Sequence, residues 1–364
     1  MNKFIYVLLI MCLCLMPNNA LSVHAQQSSP IINIIRADID AYLAGGGVNR
    51  VAYSTGELKS ANYLASKMLE CGLEFYTGDS FIQSFGSGHK TSQNVVGIKR
   101  TNVSDDIVVL GAHYDSHKDS LNAVYDNASG VVIVLSLMNA LQQISLPYNI
   151  VFVFYGAEEV GMQGSAHFVN SMSALTARNI LLAMNFDSVG VGEYTYFYAG
   201  DTLNSHKKIF ESNDWNVISY PAYPRANYFS GNVVFGYNHI GLQSDNFTYI
   251  NNSIRSVTFF SGNATDVTLG FKESIYNDNL HHTKNDNLSY ILEKYPNFLS
   301  NINNVANLTL ETLTDSNFYT QITNLGNDIN LNFFNDKLII VCVGLVGLLF
   351  VNKFLTRKLD KHND

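Results

Sequence analysis

The sequence predicts an α/β chain built on a doubly wound sheet, mixed but mostly parallel, with helices on both faces. Three observations predict it. Short apolar runs rich in β-branched and aromatic residues recur at Ile107 to Leu110, Ile150 to Tyr155, Ile180 to Phe186 and Ile254 to Phe260, each of a length suited to a buried strand. Stretches with apolar residues at helical spacing alternate with them. Polar clusters then follow the strands, and open α/β sheets collect ligands at the carboxyl ends of their strands.

Taken in order, Ile31 to Ala44 has helical spacing and stops at Gly45-Gly46-Gly47. Thr55 to Cys71 is a second helix, with Leu58, Ala61, Leu64, Ala65, Met68 and Leu69 on one face and Gly72 as its stop. Phe81 to Phe85 and Asn94 to Lys99 are the first strands. The strand Ile107 to Leu110 leads through a polar segment holding His113, Asp115 and Asp126 into the apolar helix Ser129 to Gln142. Ile150 to Tyr155 precedes Glu158-Glu159, and a helix begins near Ser165. Ile180 to Phe186 runs into Asp187. Tyr194 to Tyr198 is an added strand, Leu203 to Ser212 a helix, and Tyr220 to Tyr237 a loop on the substrate side. Ile254 to Phe260 is the last core strand, His282 sits in HHTKND, and Leu288 to Leu313 is one long closing helix.

The chain has 364 residues, 47% of them hydrophobic, enough for one large or two small α/β domains. A net charge of −8 and the lack of a basic block in the body argue against a nucleic-acid surface. Of the four cysteines only Cys71 lies in the body, so no disulfide framework forms there.

Both ends are apolar. Residues 1–25 carry Lys3, the run Phe4 to Met16 and then Val23-His24-Ala25, the layout of a secretory signal cut after Ala25. Residues 26–315 form the folded domain and the Asn-rich stretch 316–337 a linker. Residues 338–355 are a short membrane anchor flanked by Lys337 and Lys353, and 356–364 a basic tail. Lys353, Arg357, Lys358 and Lys361 put the tail in the cytoplasm, and the domain on the periplasmic or extracellular face.

Two His, three Asp and two Glu therefore come after strands or in late loops. Alone, a loop His or Asp is usually a hydrogen-bonded structural group and a Glu pair is usually exposed charge. Their conjunction points to metal chemistry, because zinc accepts imidazole and carboxylate without thiolate. A carboxylate offers two oxygens and can bridge two cations. Asp126 takes that role, His113 and Asp187 complete one metal, and Glu159 and His282 the other. A water held between two such ions loses its proton easily. Glu158, beside a ligand, serves as general base. Asp115 is placed to accept the second ring N–H of His113, and Asp286 that of His282.

The motifs GAHYDS, DNASG, YGAEEVGMQGS, NFDSVG and HHTKND resemble, in order and spacing, the co-catalytic dizinc exopeptidases, over Asn94 to Asp286. That group includes bacterial leucyl aminopeptidases, aminopeptidase S and glutamate carboxypeptidase, with glutaminyl cyclase more distant. The resemblance implies a phosphorylase/hydrolase-like fold and two zinc ions per chain on His113, Asp126, Glu159, Asp187 and His282, with Glu158 as base. It also implies a cis Asp126-Asn127 bond. Ser244-Asp245 resembles a later signature that normally continues with His, where this chain has Asn246. An oxyanion-stabilising tyrosine has no clear counterpart; His281 and the tyrosines of Tyr228 to Tyr249 are candidates.

The expected activity is removal of N-terminal residues from peptides. A carboxypeptidase would need cations for the substrate carboxylate, and Tyr220 to Arg255 offers only Arg225 and Arg255. Glutaminyl cyclase uses one zinc, whereas both ligand sets are present here. A non-catalytic receptor-like relative would have lost ligands.

Overall fold

Strands β4 (Ile107–His113), β5 (Asn149–Tyr155) and β6 (Ile180–Phe186) have every residue buried, as expected of strands covered on both faces. A computed structural model describes residues 30–192, 194–198, 218–219, 244–262 and 279–325. The expected signal, the helix at Leu203 to Ser212, the loop at Tyr220 to Tyr237, the anchor and the tail lie outside the described residues. From Ile31 onward the described residues belong to one unit, Ile31–Asp364.

The remaining strands are β1 (Glu74–Phe75), β2 (Ile82–Ser87), β3 (Lys90–Lys99), β7 (Tyr194–Tyr198), β8 (Ile218–Ser219) and β9 (Ser256–Gly262). They join a nine-stranded sheet ordered β1-β3-β5-β4-β6-β9-β7-β8, with β2 on β3. The sheet is mixed: β5, β4, β6 and β9 run parallel, while β3 and β7 join them antiparallel.

Alternate side chains of the central strands point to opposite faces. Val108, Leu110, Phe152, Phe154, Leu182 and Met184 pack in the larger core layer together with helices α2 (Thr55–Glu70), α3 (Ser129–Leu141) and α8 (Phe298–Thr314). Val109, Val151, Val153 and Ala183 join the other layer with Phe168 of α4 (Gln163–Asn170) and Tyr249 of α6 (Asn246–Asn251). Burying a Val, Leu or Phe side chain contributes about 1.5–3 kcal/mol, which is why these runs can dispense with polar alternation.

Three expectations change. The first helix is shorter: α1 covers Arg36–Tyr42 and ends in a wide turn, Leu43–Gly47. Ile32 and Ile34 before it each exchange two hydrogen bonds with a side-chain amide of α8, Asn307 and Asn303 respectively, at 2.6–2.8 Å. Two amides one helical turn apart thus meet alternate residues of an extended strap. The long closing helix is broken into α7 (Leu288–Lys294) and α8, with Tyr295 at φ −127°, ψ 73°. Pro296 follows, and a residue before proline is pushed out of the helical region. The domain also passes residue 315, where a linker was expected. Residues 318–325 are helical, and Phe318 and Ile322 are fully buried in the core. A short helix α5 (Ala174–Asn179), capped by Ser173, precedes β6.

Candidate metal centre

The strand register places the chemistry. His113 ends β4 opposite Tyr155 of β5, and Phe186 of β6 pairs with Phe259. The segments after these strands, holding Asp126, Glu158-Glu159 and Asp187, therefore leave the sheet along one edge. They meet His281 and His282 around a cavity of about 290 Å³, lined also by Gly161, Met162 and Ser188. A larger cleft of about 400 Å³ between α2 and α3, lined by Tyr63, Cys71 and Asn139 among others, gathers no imidazole. The smaller cavity is the functional candidate.

Asp126 lies at the centre. Its Oδ1 is 3.1 Å from His113 Nε2, and that nitrogen is 3.3 Å from Asp187 Oδ1. Its Oδ2 is 3.1 Å from His282 Nε2, which is itself 3.1 Å from Glu159 Oε2. The five residues expected to bind metal are therefore all in this cluster. Among the described residues, two groups of three are compact enough to hold an ion: His113, Asp126 and Asp187, and Asp126, His281 and His282. Glu159 meets the second group at His282. His281 Nε2 is 3.0 Å from Asp126 Oδ2.

The donor set fits zinc. Ligand atoms about 2.0–2.2 Å from one zinc, at roughly 90–110° to each other, lie about 2.8–3.6 Å apart. The contacts around Asp126 and His282, 3.0–3.3 Å, fall in that range.

Local backbone aims these side chains. The Asp126-Asn127 peptide is cis. Asn127 donates to the Phe186 carbonyl at 2.8 Å and accepts from the N–H groups of Gly130 and Ser188 at 3.0 and 3.2 Å. That ties the start of α3 to the end of β6. Asp286 accepts from the N–H groups of Tyr125 and Asp126 at 2.6 and 3.1 Å. It therefore positions Asp126, not His282 as its spacing suggested. Ser244 Oγ donates to Asp187 Oδ2 at 2.7 Å.

Asp115 sits beside His113 as expected, its Oδ1 3.6 Å from His113 Nδ1, and it has a further task. Its two oxygens accept from the N–H groups of Glu158 and Glu159, at 2.9 and 3.1 Å. One buried carboxylate thus presents both glutamates to the cavity. Ala157, at φ +54°, makes the turn, a left-handed conformation costing a non-glycine residue roughly 1–2 kcal/mol. Its N–H is held by Glu57 at 3.0 Å. Glu57 also accepts from Ser92 and the Tyr53 N–H, both at 2.6 Å. Sequence reading passes over Glu57, because Ser54-x-x-Glu57 reads as a helix cap and nothing local links it to residue 157.

Burial and charge dominate the electrostatics. Burial pushes the Glu158 carboxyl well above its usual range, although His113 opposes this. Burial, with the nearby Asp126 charge, raises Glu159 to about 7. Burial alone would raise Asp126 too, but hydrogen bonds from His113, His281 and His282 outweigh it and hold that carboxyl well below the usual range. For His282, burial is likewise overcome by Asp126 and Glu159, which raise it to about 10. Carboxylates and imidazoles of this kind must shed their protons to bind a divalent cation, so metal affinity at such a cluster depends on pH.

The sequence profile of peptidase family M28 matches residues 94–307. Aminopeptidase YwaD of Bacillus subtilis is 38% identical over 104 residues, covering 28% of this chain and 23% of that protein. The chain spans about a quarter of the length of the curated relatives it matches. Among solved structures, a Zn-dependent exopeptidase from Parabacteroides distasonis superposes with a TM-score of 0.55 at 17% identity, over 79% of this chain and 100% of that one. Porphyromonas gingivalis glutaminyl cyclase superposes with a TM-score of 0.52 at 15% identity, over 76% and 95%. At these identities the structures share the fold.

Proposed function

The chain belongs to peptidase family M28, and on that footing we propose that it is a dizinc aminopeptidase that removes N-terminal residues from peptides. The observation that carries this reading is the position of Glu158. Its buried carboxyl lines the cavity beside two metal-competent groups, while the neighbouring Glu159 meets His282 at 3.1 Å.

His113, Asp126 and Asp187 would hold one zinc, and Asp126, Glu159 and His282 the other. When bound, two such ions supply Lewis acidity toward a scissile carbonyl and toward water. The residues of the chain do the rest. Asp115 fixes the Glu158 backbone, so its carboxylate stays within the cavity. From there Glu158 takes a proton from the attacking water and returns it to the leaving amine. Its raised pKa suits a group that must hold that proton between the two events. A free α-amine fits an acidic cavity that would also hold metal, with Glu158, Glu159 and Asp187 in its lining. Among the described residues, none lining it is Lys or Arg.

The reading extends to location. Residues 1–25 would direct export, and 338–355 would anchor the domain on the outer face of a membrane with the basic tail inside. The support is the pattern of apolar and basic residues. The described helical stretch Val124–Leu141 is also long and apolar enough to cross a membrane, but 78% of it is buried in the core.

Zinc analysis of the purified protein, with a panel of aminoacyl-anilides and N-blocked controls, tests the proposal. Two zinc ions and cleavage only of unblocked substrates are expected. Cyclisation of N-terminal glutamine without anilide hydrolysis would assign the chain to cyclase chemistry instead.

A further inference from the structure

We propose that Arg50 is a positioning residue for the metal centre: its buried guanidinium grips the turn from Asn122 to Asp126 and so aims the carboxylate shared by both metal groups. The inference rests on the two-zinc reading. It adds a support that the family likeness does not reach, since Arg50 precedes the matched residues 94–307.

Arg50 is fully buried. Its Nη1 donates to the carbonyls of Gly47 and Asn122, the latter at 2.8 Å, and its Nη2 donates to the carbonyl of Ala123 at 2.7 Å. The guanidinium carbon lies 5.5 Å from the centre of the Tyr42 ring, buried at the end of α1. Taking a charge out of water costs more than burying an apolar side chain of similar volume, so Arg50 is a poor choice for stability alone. What the guanidinium offers is direction. Its planar fork sets donors on two successive carbonyls, which the point charge of a lysine does not reproduce.

Those carbonyls open the turn that carries Asp126. Ala123 has φ +44°, a left-handed conformation that a non-glycine residue keeps only where its surroundings impose it. Its carbonyl also accepts from the Ala128 N–H at 2.9 Å, which closes the wide turn Val124–Ala128 around Asp126 and Asn127. Asp286 takes the N–H groups of Tyr125 and Asp126. The turn is thus held at its carbonyls by a buried cation and at its N–H groups by a buried carboxyl group.

The segment around Arg50 also fastens the loop before the turn. The Asn49 N–H donates to the Leu121 carbonyl at 2.7 Å, the Ser116 N–H donates to the Arg50 carbonyl at 3.1 Å, and Val51 pairs with Ser116. That loop carries His117, whose ring stacks on His282 with centroids 4.2 Å apart and planes 10° from parallel. Stacking fixes the plane of the His282 ring and leaves its in-plane nitrogen free to face a metal. Arg50 therefore supports Asp126 directly and His282 through His117.

The test uses the full-length protein in two variants. Arg50→Lys keeps the charge and loses the fork, and Arg50→Met loses both. Chelator competition with a zinc-responsive dye reads zinc affinity. Cobalt, which accepts the same imidazole and carboxylate ligands, has visible absorption bands that report coordination geometry. Because Asp126 serves both ions, each variant should bind both zinc ions roughly 10–100-fold more weakly and show altered cobalt bands at saturating metal. A lower melting temperature with wild-type zinc affinity and wild-type cobalt bands would make Arg50 a support of the fold alone and overturn the proposal. Weakening of one ion only would overturn it too, as would failure of both variants to fold. Wild-type protein that takes up no metal would sink the two-zinc reading and this inference with it. Wild-type and variant proteins that bind two ions equally well would sink only the inference.

Discussion

Asp286 accepts the backbone N–H of Asp126 at 3.1 Å, across 160 residues of sequence. With the Tyr125 N–H at 2.6 Å on its other oxygen, it holds the turn that presents the central carboxylate to both metal groups. Asp286→Ala leaves two buried donors without an acceptor, at about 1–3 kcal/mol each. It should also weaken zinc binding by roughly 10–100-fold, the usual cost of removing a group that orients a ligand. Thermal melting and chelator competition measure the two effects. Intact zinc affinity in a destabilised variant would restrict Asp286 to a structural role.

Glu158→Gln should keep its zinc content and lose activity. Removing a general base typically costs about 10²–10⁴ in rate, read here as kcat on an aminoacyl-anilide. A variant with normal turnover, or one stripped of zinc, would show that Glu158 and Glu159 have exchanged roles.

Asp115 reaches the chemistry through the backbone of the two glutamates. In Asp115→Asn one of the two N–H groups faces an NH₂ group in place of an acceptor, and the presentation of both carboxylates loosens. A fall in kcat and in zinc affinity, each roughly 10–100-fold, is expected. Steady-state kinetics and zinc titration check it. Loss of stability with both quantities preserved would mean that Asp115 only supports the fold.

The C-terminal boundary can be located by truncation. Phe318 and Ile322 are fully buried, so a chain ending at residue 315 exposes the core they cover, whereas one ending at 325 does not. Phe318→Ala alone should cost about 3–5 kcal/mol in denaturant unfolding. The chain ending at 325 should be active and wash off membranes with carbonate, while the full-length protein stays. Full-length protein that washes off would rule out the anchor.

Local sequence carries information wherever a physical rule acts over a few residues. The apolar runs of β4, β5 and β6 are legible because strands buried on both faces need no polar alternation. Three of the five metal-binding candidates are legible because His113, Glu159 and Asp187 each stand at or just beyond the end of such a run. The break between α7 and α8 has a local cause, because Pro296 disfavours the helical conformation at Tyr295. The regular spacing on either side concealed it.

Partnerships across the chain belong to the tertiary structure. Four residues after His282, Asp286 looks like that histidine's partner, yet its oxygens turn to Tyr125 and Asp126. Asp115, two residues from His113, also reaches the glutamates after β5. His281, a candidate for oxyanion stabilisation in the sequence, comes within 3.0 Å of Asp126 Oδ2 beside a left-handed turn at His282 that no composition rule foretells. Phe318 and Ile322 sit in a stretch polar enough to pass for a linker until the sheet and α8 offer them a core. A side chain's type and sequence neighbours determine what it can bind. Which donor or surface it meets depends on strand order, register and turns, and these come from the packing of the whole chain.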